Sequence, residues 1–405
     1  MTMGWPVDEA KLGRVRDAMA AHDLDALVCR APDNLLYLTS YWCMKGYDAV
    51  VFPREGEPTL VVIEPQLADA ERTAWTSDIR LFAGYDERDP RPPHLRAADV
   101  VVEVLRERDL TGRVGLELTQ AGQASDRMVG EPTMLTQDVV ATVEGAAREL
   151  VDASGLLAGV RALKTDQELE RMRLANELAE LGLEHVREHI RPGMKESEVG
   201  ALFEGRVHAE GVGYQGRVEM ARAFTLVWSG PGISTFTATR DRPVQEHEPT
   251  LMEIWVCADG YWTDLTKNFC PGSLSADYER LLELLLGVFA EAVEHARPGA
   301  SLAELDRLIR ARLAEGGYPG QPSHPVAHGV GARAHEPPYA HQAGGGELLE
   351  GMVLAIEPAA YWQGGGGLRV EDDFLIAAGG AEQLGSWPDD FRVESARPAA
   401  AGASR

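Results

Sequence analysis

Five side chains in the second half of this chain are of types that bind cations. Glu253 and Asp264 flank the segment "WVCADGYWT", His328 opens "HGVGARAHE", Glu357 sits in "LAIEPA" and Glu371 in "LRVEDD". The neighbours of the last two acids are Val353, Leu354, Ile356, Leu368 and Val370, so a pair of surface carboxylates is the weaker reading. A carboxylate at an inward-facing strand position is costly to bury unless it is paired or bound to a metal. Four such acids around one imidazole would repel one another without a cation. Oxygen-rich ligation with a single histidine suits Mn, Fe, Co or Zn, and two carboxylates able to bridge suit two ions. His324 and His335 flank His328 at four and seven residues.

The elements that must carry these residues can be read from periodicity. "AFTLVWSG", "TLMEIWVCADGYWTDLTKNF", "GMVLAIEPAAYW" and "GLRVEDDFLIAA" are strand-like runs. Four helices are expected among them. The first is the long "LKTDQELERMRLANELAELGLEHVREHIRPG", with Thr165 as N-cap and Glu168 completing a capping box. "KESEVGALFEGRVHAEG", "YERLLELLLGVFAEAVEHARPG" and "SLAELDRLIRARLAEGG" are the others. Two helices end in "RPG", and this echo between His189–Gly193 and His295–Gly299 hints at duplicated halves. "GGGG" at 364–367 reads as a hairpin turn, since no helix starts after it. An α+β domain of antiparallel strands with helices on one side is expected over 151–395.

The first 150 residues alternate helix and strand, an α/β pattern. Residues 8–22 read as a helix and "LDALVCR" as a buried strand. "APDNLLYLTSY" reads as a turn followed by a strand edge, and "AVVFPREGEPTLVV" as a hairpin. "PPHLRAADVVVEVLRERDL" reads as a helix and "GRVGLEL" as a strand.

The chain has 405 residues, too many for one ordinary core, so two domains are expected. A net charge of −25 argues against a nucleic-acid partner, which needs clustered Lys and Arg. Cys29, Cys43, Cys257 and Cys270 form no CxxC pair, which fits a reducing cytoplasm better than a disulfide framework. No apolar run reaches about 18 residues, so no membrane span is expected. The N-terminus reads as a charged amphipathic helix and not as a signal peptide. The tail 396–405 is expected to be disordered.

The order and spacing of the motifs resemble the M24 "pita-bread" metallopeptidases, which include prolidase, Xaa-Pro aminopeptidase P and methionine aminopeptidase. "GYWTDLTK" resembles the family's GYxxDxTR, and "HGVGARAHE" resembles HGxGxxxHE at every fixed position. "GMVLAIEP" resembles GMVxxxEP and "GLRVED" resembles GxRxED. "APDNLLYLTSY" looks like the NxxYLTGF segment of the family's creatinase-type N-terminal domain. The resemblance implies an α/β N-terminal domain followed by a pita-bread catalytic domain and a homodimer. It implies two divalent ions, manganese first, with Glu253, Asp264, His328, Glu357 and Glu371 as ligands. Asp264 and Glu371 would bridge, and His328 would bind through Nε2. A bridging hydroxide would attack a small amide or peptide bond. Glu357 would shuttle its proton, and His335 would steady the oxyanion. His324 would face the substrate, and Arg369 would orient a carboxylate.

The departures from the pattern bear on substrate. Glu253 stands where the family has Asp, Trp255 where it has a small residue, and Lys267 where it has Arg. Trp255 is therefore expected to line the substrate pocket. The histidine that the family places after its SGxN segment is missing; Phe236 and Thr237 stand there. A Xaa-Pro dipeptidase or aminopeptidase P type of hydrolase is the first expectation. An enzyme of the same fold acting on a non-peptide small molecule, by C–N hydrolysis or elimination, is the second. A binding protein that kept only the fold is the third.

Overall fold

A computed structural model of the chain describes residues 4–119, 136–362 and 366–387. The tail at 396–405 and the first half of the GGGG turn lie outside the described residues. The chain divides into two compact units, Met1–Arg161 and Ala162–Arg405.

The first unit runs α1 (Glu9–Ala21), β1 (Ala26–Cys29), α2 (Pro32–Thr39), β2 (Ala49–Pro53), β3 (Thr59–Ile63), α3 (Leu67–Thr73) and β4 (Asp78–Phe82). It continues with α4 (Pro93–Glu107), β5 (Arg113–Leu116), α5 (Gln137–Glu144), β6 (Glu149–Asp152) and α6 (Ser154–Ala162). Its six-stranded sheet has the order β4-β3-β2-β1-β5-β6. The hairpin β2–β3 is antiparallel, as "AVVFPREGEPTLVV" suggests, while β5 and β6 add in parallel beside β1. Strands β1, β2 and β3 are buried along their whole length. One apolar cluster includes Leu27, Val50 and Phe52 and another Ala26, Val28, Val51 and Val61. Alternate residues of the same strands thus feed two cores, as a sheet covered on both faces requires.

"APDNLLYLTSY" is a helix, α2, and not a turn with a strand edge. Pro32 takes the first helical position, where its missing N–H is no loss. The N–H groups of Arg30 and Ala31 donate to the Glu117 carboxylate at 2.7 and 3.1 Å. Arg161 pairs with Asp33 in the first turn, and all eight helical residues are buried. A short apolar run reads alike as buried strand or buried helix; here partners about 85 to 130 residues away decide it.

Asp48 makes this unit pH-sensitive. Burial pushes its carboxyl up to about 6, although hydrogen bonds from Tyr41 and Ile63 and the charge of Arg30 pull the other way. A raised folded value means that the protonated form stabilises the fold. That stability is fully present below about pH 4 and is lost as pH rises through about 6. Asp48→Asn keeps a neutral amide in place. Urea unfolding of the wild type between pH 4 and 7 should lose about 3 kcal/mol relative to this variant.

The second unit opens with α7 (Asp166–His189) and α8 (Glu196–Glu210), followed by β7 (Ala221–Ser229), β8 (Thr250–Ala258) and β9 (Tyr261–Phe269). Then come α9 (Ala276–His295), α10 (Leu302–Glu315), β10 (Ala327–Gly329), β11 (Glu336–Tyr339) and β12 (Val353–Ile356). It closes with β13 (Ala359–Trp362), β14 (Gly366–Arg369), β15 (Asp372–Ala377) and β16 (Gly380–Gln383). The Thr165–Glu168 capping box of α7 is formed in both directions. Three antiparallel sheets result: β7-β8-β9, β11-β10-β12-β15-β16 and the pair β13-β14. Helices α9 and α10 share one apolar core with β10, β12, β14 and β15 through Leu285, Phe289, Leu305 and Ile309.

The "RPG" echo has a structural counterpart. Gly193 N–H donates to Val244 O at 2.8 Å, and Gly299 N–H donates to Leu348 O at 2.8 Å. In return Val244 N–H donates to Met194 O, and Leu348 N–H to Ala300 O. Each helix pair, α7–α8 and α9–α10, is thus tied in the same way to the chain leading into its own strands. Among the described residues, no helix is long and apolar enough to cross a membrane.

Candidate metal centre

The hairpin β8–β9 lays out half of the site. Asp259 and Gly260 both take positive φ, the two-residue turn that suits strand twist, and this fixes Ala258 opposite Tyr261. Counting back along the ladder, Trp255 faces Asp264 and Glu253 faces Thr266. Directly paired residues point to the same face, so these four side chains share it. Both strands are almost wholly buried, so their polar residues are there for partners and not for water.

The "HGVGARAHE" stretch supplies the imidazoles. His328 lies on β10 and His335 just before β11, with His328 paired to Tyr339 and Gly329 to Glu336. A Cβ on Gly329 would meet Glu336 O and Pro337 O at 2.6 Å; only glycine lets the two strands approach this closely. Glu336 is buried and bound to Lys164 at 2.8 Å. The stretch is thereby anchored to the chain just ahead of α7. Glu357 follows β12, and Glu371 lies between β14 and β15, bridged to Thr266 of β9.

These elements bring four of the five expected ligands together. The donor atoms of His328, Glu357 and Glu371 lie within 4.8 Å of one another, and so do those of Asp264, His328 and His335. His328 Nε2 stands 3.6 Å from Asp264 Oδ2 and 3.6 Å from Glu357 Oε1. Both His328 Nε2 and Asp264 Oδ2 are buried without a hydrogen-bond partner. Such spacing is too long for hydrogen bonds. It matches two donors on a common ion, which at bond lengths near 2.1 Å and a tetrahedral angle stand about 3.4 Å apart. His328 Nδ1 lies 3.1 Å from Gly329 O. A proton donated there leaves the lone pair on Nε2, the arrangement that a ligating histidine needs.

Electrostatics point the same way. Burial first, then the neighbouring Glu371 and Glu253, push the Asp264 carboxyl well above its usual range. Burial and Glu357 do the same to Glu371. Burial lowers His328, which favours the neutral imidazole. Glu357 is the exception: burial raises it, but His324, His328 and Arg369 more than offset this and hold it down to about 2. A divalent cation resolves the repulsion that two buried acids otherwise avoid by protonation. The donor set therefore fits such an ion.

The surrounding shell is only partly the expected one. His324 is buried, with Nδ1 3.2 Å from Glu357 Oε2 and Nε2 3.2 Å from Tyr361 Oη. His335 is partly exposed, stacked on His328 at 4.4 Å with Nε2 3.5 Å from Asp264 Oδ2. Arg369 Nε donates to Thr266 Oγ1 at 2.6 Å, and that hydroxyl donates to Glu371 Oε2 at 2.6 Å. Glu253 belongs to neither donor cluster; its Oε2 forms an ion pair with Arg369 Nη2 at 2.9 Å, without the alignment of a hydrogen bond. Trp255 is buried beneath Phe224, with ring centroids 5.4 Å apart, and Phe224 is the exposed ring of the two. Lys267, in place of Arg, pairs with Asp372. Where the histidine is missing, Phe236 is exposed and Thr237 O accepts from Trp228 Nε1 at 3.2 Å.

Sequence reasoning missed Tyr361, Lys164, Phe224 and Thr266. Thr266 stood inside "GYWTDLTK" and Tyr361 four residues after Glu357, but neither carries a charge that draws attention. A third donor group, His185, Glu188 and His189, lies on α7 at the surface.

Comparison with known proteins gives the family and the fold. The description "Metallopeptidase family M24" matches residues 170–378, just over half of the chain. "Creatinase/Prolidase N-terminal domain" matches residues 11–163. The putative dipeptidase YkvY of Bacillus subtilis is 26% identical over 370 residues, covering 89% of this chain and 93% of that protein. A Xaa-Pro dipeptidase of Pyrococcus furiosus is 30% identical over 238 residues, covering 58% of this chain and 67% of that one. Among solved structures, a Xaa-Pro dipeptidase from Bacillus anthracis superposes with a TM-score of 0.78 at 22% identity, covering 94% of this chain and 98% of that chain. The recombinant prolidase of Thermococcus sibiricus gives 0.79 at 18% identity, covering 96% and 99%. The two-domain pita-bread architecture is thus the one found in solved prolidases, and this chain belongs to metallopeptidase family M24.

Proposed function

We propose that the chain is a divalent-metal hydrolase of small peptides, of the Xaa-Pro dipeptidase or aminopeptidase P type. One observation carries the reading: two partnerless buried donors, Asp264 Oδ2 and His328 Nε2, face each other at 3.6 Å inside a ring of carboxylates. Asp264, His328, Glu357 and Glu371 would hold the metal. When bound, a divalent ion supplies polarisation of the amide carbonyl and activation of water near neutral pH.

The chain's own residues divide the remaining work. Glu357 turns Oε1 toward His328 and Oε2 toward His324, so it can take a proton on one oxygen while the other is held. His324 and Tyr361 fix its orientation. His335 Nε2 lies 3.5 Å from Asp264 Oδ2 and would be placed to donate to the oxygen on which charge develops. Its partial exposure leaves room for a substrate. A second ion would have to be held by Asp264 and Glu371 together with Glu253.

The test is a panel of Xaa-Pro and other dipeptides with Mn²⁺, Co²⁺ or Zn²⁺ added. Turnover at about 1–10³ s⁻¹, lost with a chelator and restored by the metal, is the expected result. A second reading, action on a non-peptide small molecule, is favoured by the absent histidine at Phe236–Thr237 and by the engagement of Glu253 with Arg369. It predicts a metal-bound protein that cleaves no peptide of the panel. The family resemblance also suggests a homodimer, which sedimentation would establish.

A further inference from the structure

Glu253 is the expected ligand that the fold withholds from the donor clusters. Its partner is fixed in place from several sides. Arg369 Nε is bound to Thr266 Oγ1 at 2.6 Å, and Arg369 O accepts from Asn268 Nδ2 at 2.7 Å. The guanidinium lies 2.9 Å from Glu253, 3.5 Å from Glu371 and 3.7 Å from Glu357. Arg369 is buried and Glu253 nearly so. An arginine stays charged at every working pH. A permanent positive charge therefore already sits among three of the four carboxylates. The two donor clusters meet at His328 alone, with Asp264 in one and Glu357 and Glu371 in the other, so an ion that draws on both sits at this imidazole. For Glu253 to turn to a second ion it would have to release Arg369, and separating a buried pair leaves an uncompensated charge.

We propose that this centre holds a single divalent ion, bound by Asp264, His328, Glu357 and Glu371, and that the Arg369–Glu253 pair stands in place of a second cation. The proposal rests on the metal reading given above and narrows it. Glu253 then serves as the counter-ion that keeps the guanidinium placed, and Arg369 reaches the donor set through Thr266 and Glu371. The two-ion expectation comes from a pattern with Asp at position 253. The longer Glu is the chain's own departure, and it spans to Arg369.

The experiment counts ions. The surface trio His185, Glu188 and His189 could bind metal adventitiously, so the parent protein carries His185→Ala and His189→Ala. It is loaded with Mn²⁺, freed of excess metal and measured by mass spectrometry of metals and by electron paramagnetic resonance. One ion per chain with an isolated-ion spectrum is expected. The count should stay at one in Glu253→Gln and fall to none in His328→Ala, with circular dichroism confirming that each variant is folded. Two ions per chain, an exchange-coupled spectrum, or a fall from two to one in Glu253→Gln would overturn the single-ion proposal and leave the metal reading intact. A folded parent that binds no ion would overturn both. The parent's own count and spectrum decide the matter even where a variant fails to fold.

Discussion

Replacing Glu357 with Gln is expected to lower kcat/KM on the best peptide substrate by about 10²–10⁴-fold, the usual loss when a general base is removed. Gln has nearly the same shape, so packing and KM should change little and the loss should fall on kcat. The geometry gives the reason. Glu357 is buried and its two oxygens face different partners, Oε1 toward His328 and Oε2 toward His324. An amide in its place cannot accept a proton and offers a weaker donor to a cation. Metal content measured alongside separates these two effects. If kcat/KM falls less than about tenfold with the ion retained, Glu357 is not the base.

Lys164→Ala is expected to cost about 3–5 kcal/mol of stability, because it removes the cation of a buried ion pair and leaves the Glu336 carboxylate enclosed. The pair is almost fully enclosed, each side chain 1% exposed, at 2.8 Å. Glu336 directly follows His335, so the variant should also disturb the stretch that carries both imidazoles. Lys164→Met combined with Glu336→Leu removes both charges and should recover most of the loss. Calorimetry and urea unfolding of the wild type and the two variants measure this. A single variant as stable as the wild type would show that Glu336 finds another partner or takes up a proton.

What could be read in advance follows physical lines. Asp264, His328, Glu357 and Glu371 stand out because ionisable residues on apolar strands need a partner, and the strand ladders do bring them to one place. The α7 cap was visible because both halves of a capping box lie three residues apart. The anchoring of the site was less visible. Lys164 and Glu336 are separated by 172 positions, and nothing local in either marks a buried pair. Helix α2 took its form from Glu117 and Arg161, far along the chain, while its own apolar run was ambiguous. Arg369 was expected to orient a carboxylate. That it takes Glu253, and so removes Glu253 from the donor clusters, depends on side-chain reach that spacing does not encode.

The central claim is that His328, Asp264, Glu357 and Glu371 form a metal centre. The most direct measurement is an anomalous difference map from a crystal soaked in Mn²⁺, with data collected near the manganese edge. A strong peak is expected about 2.0–2.3 Å from His328 Nε2, shared with Asp264 and Glu357 oxygens. Well-ordered side chains in this cluster with no peak among them, under conditions where other sites are loaded, would contradict it.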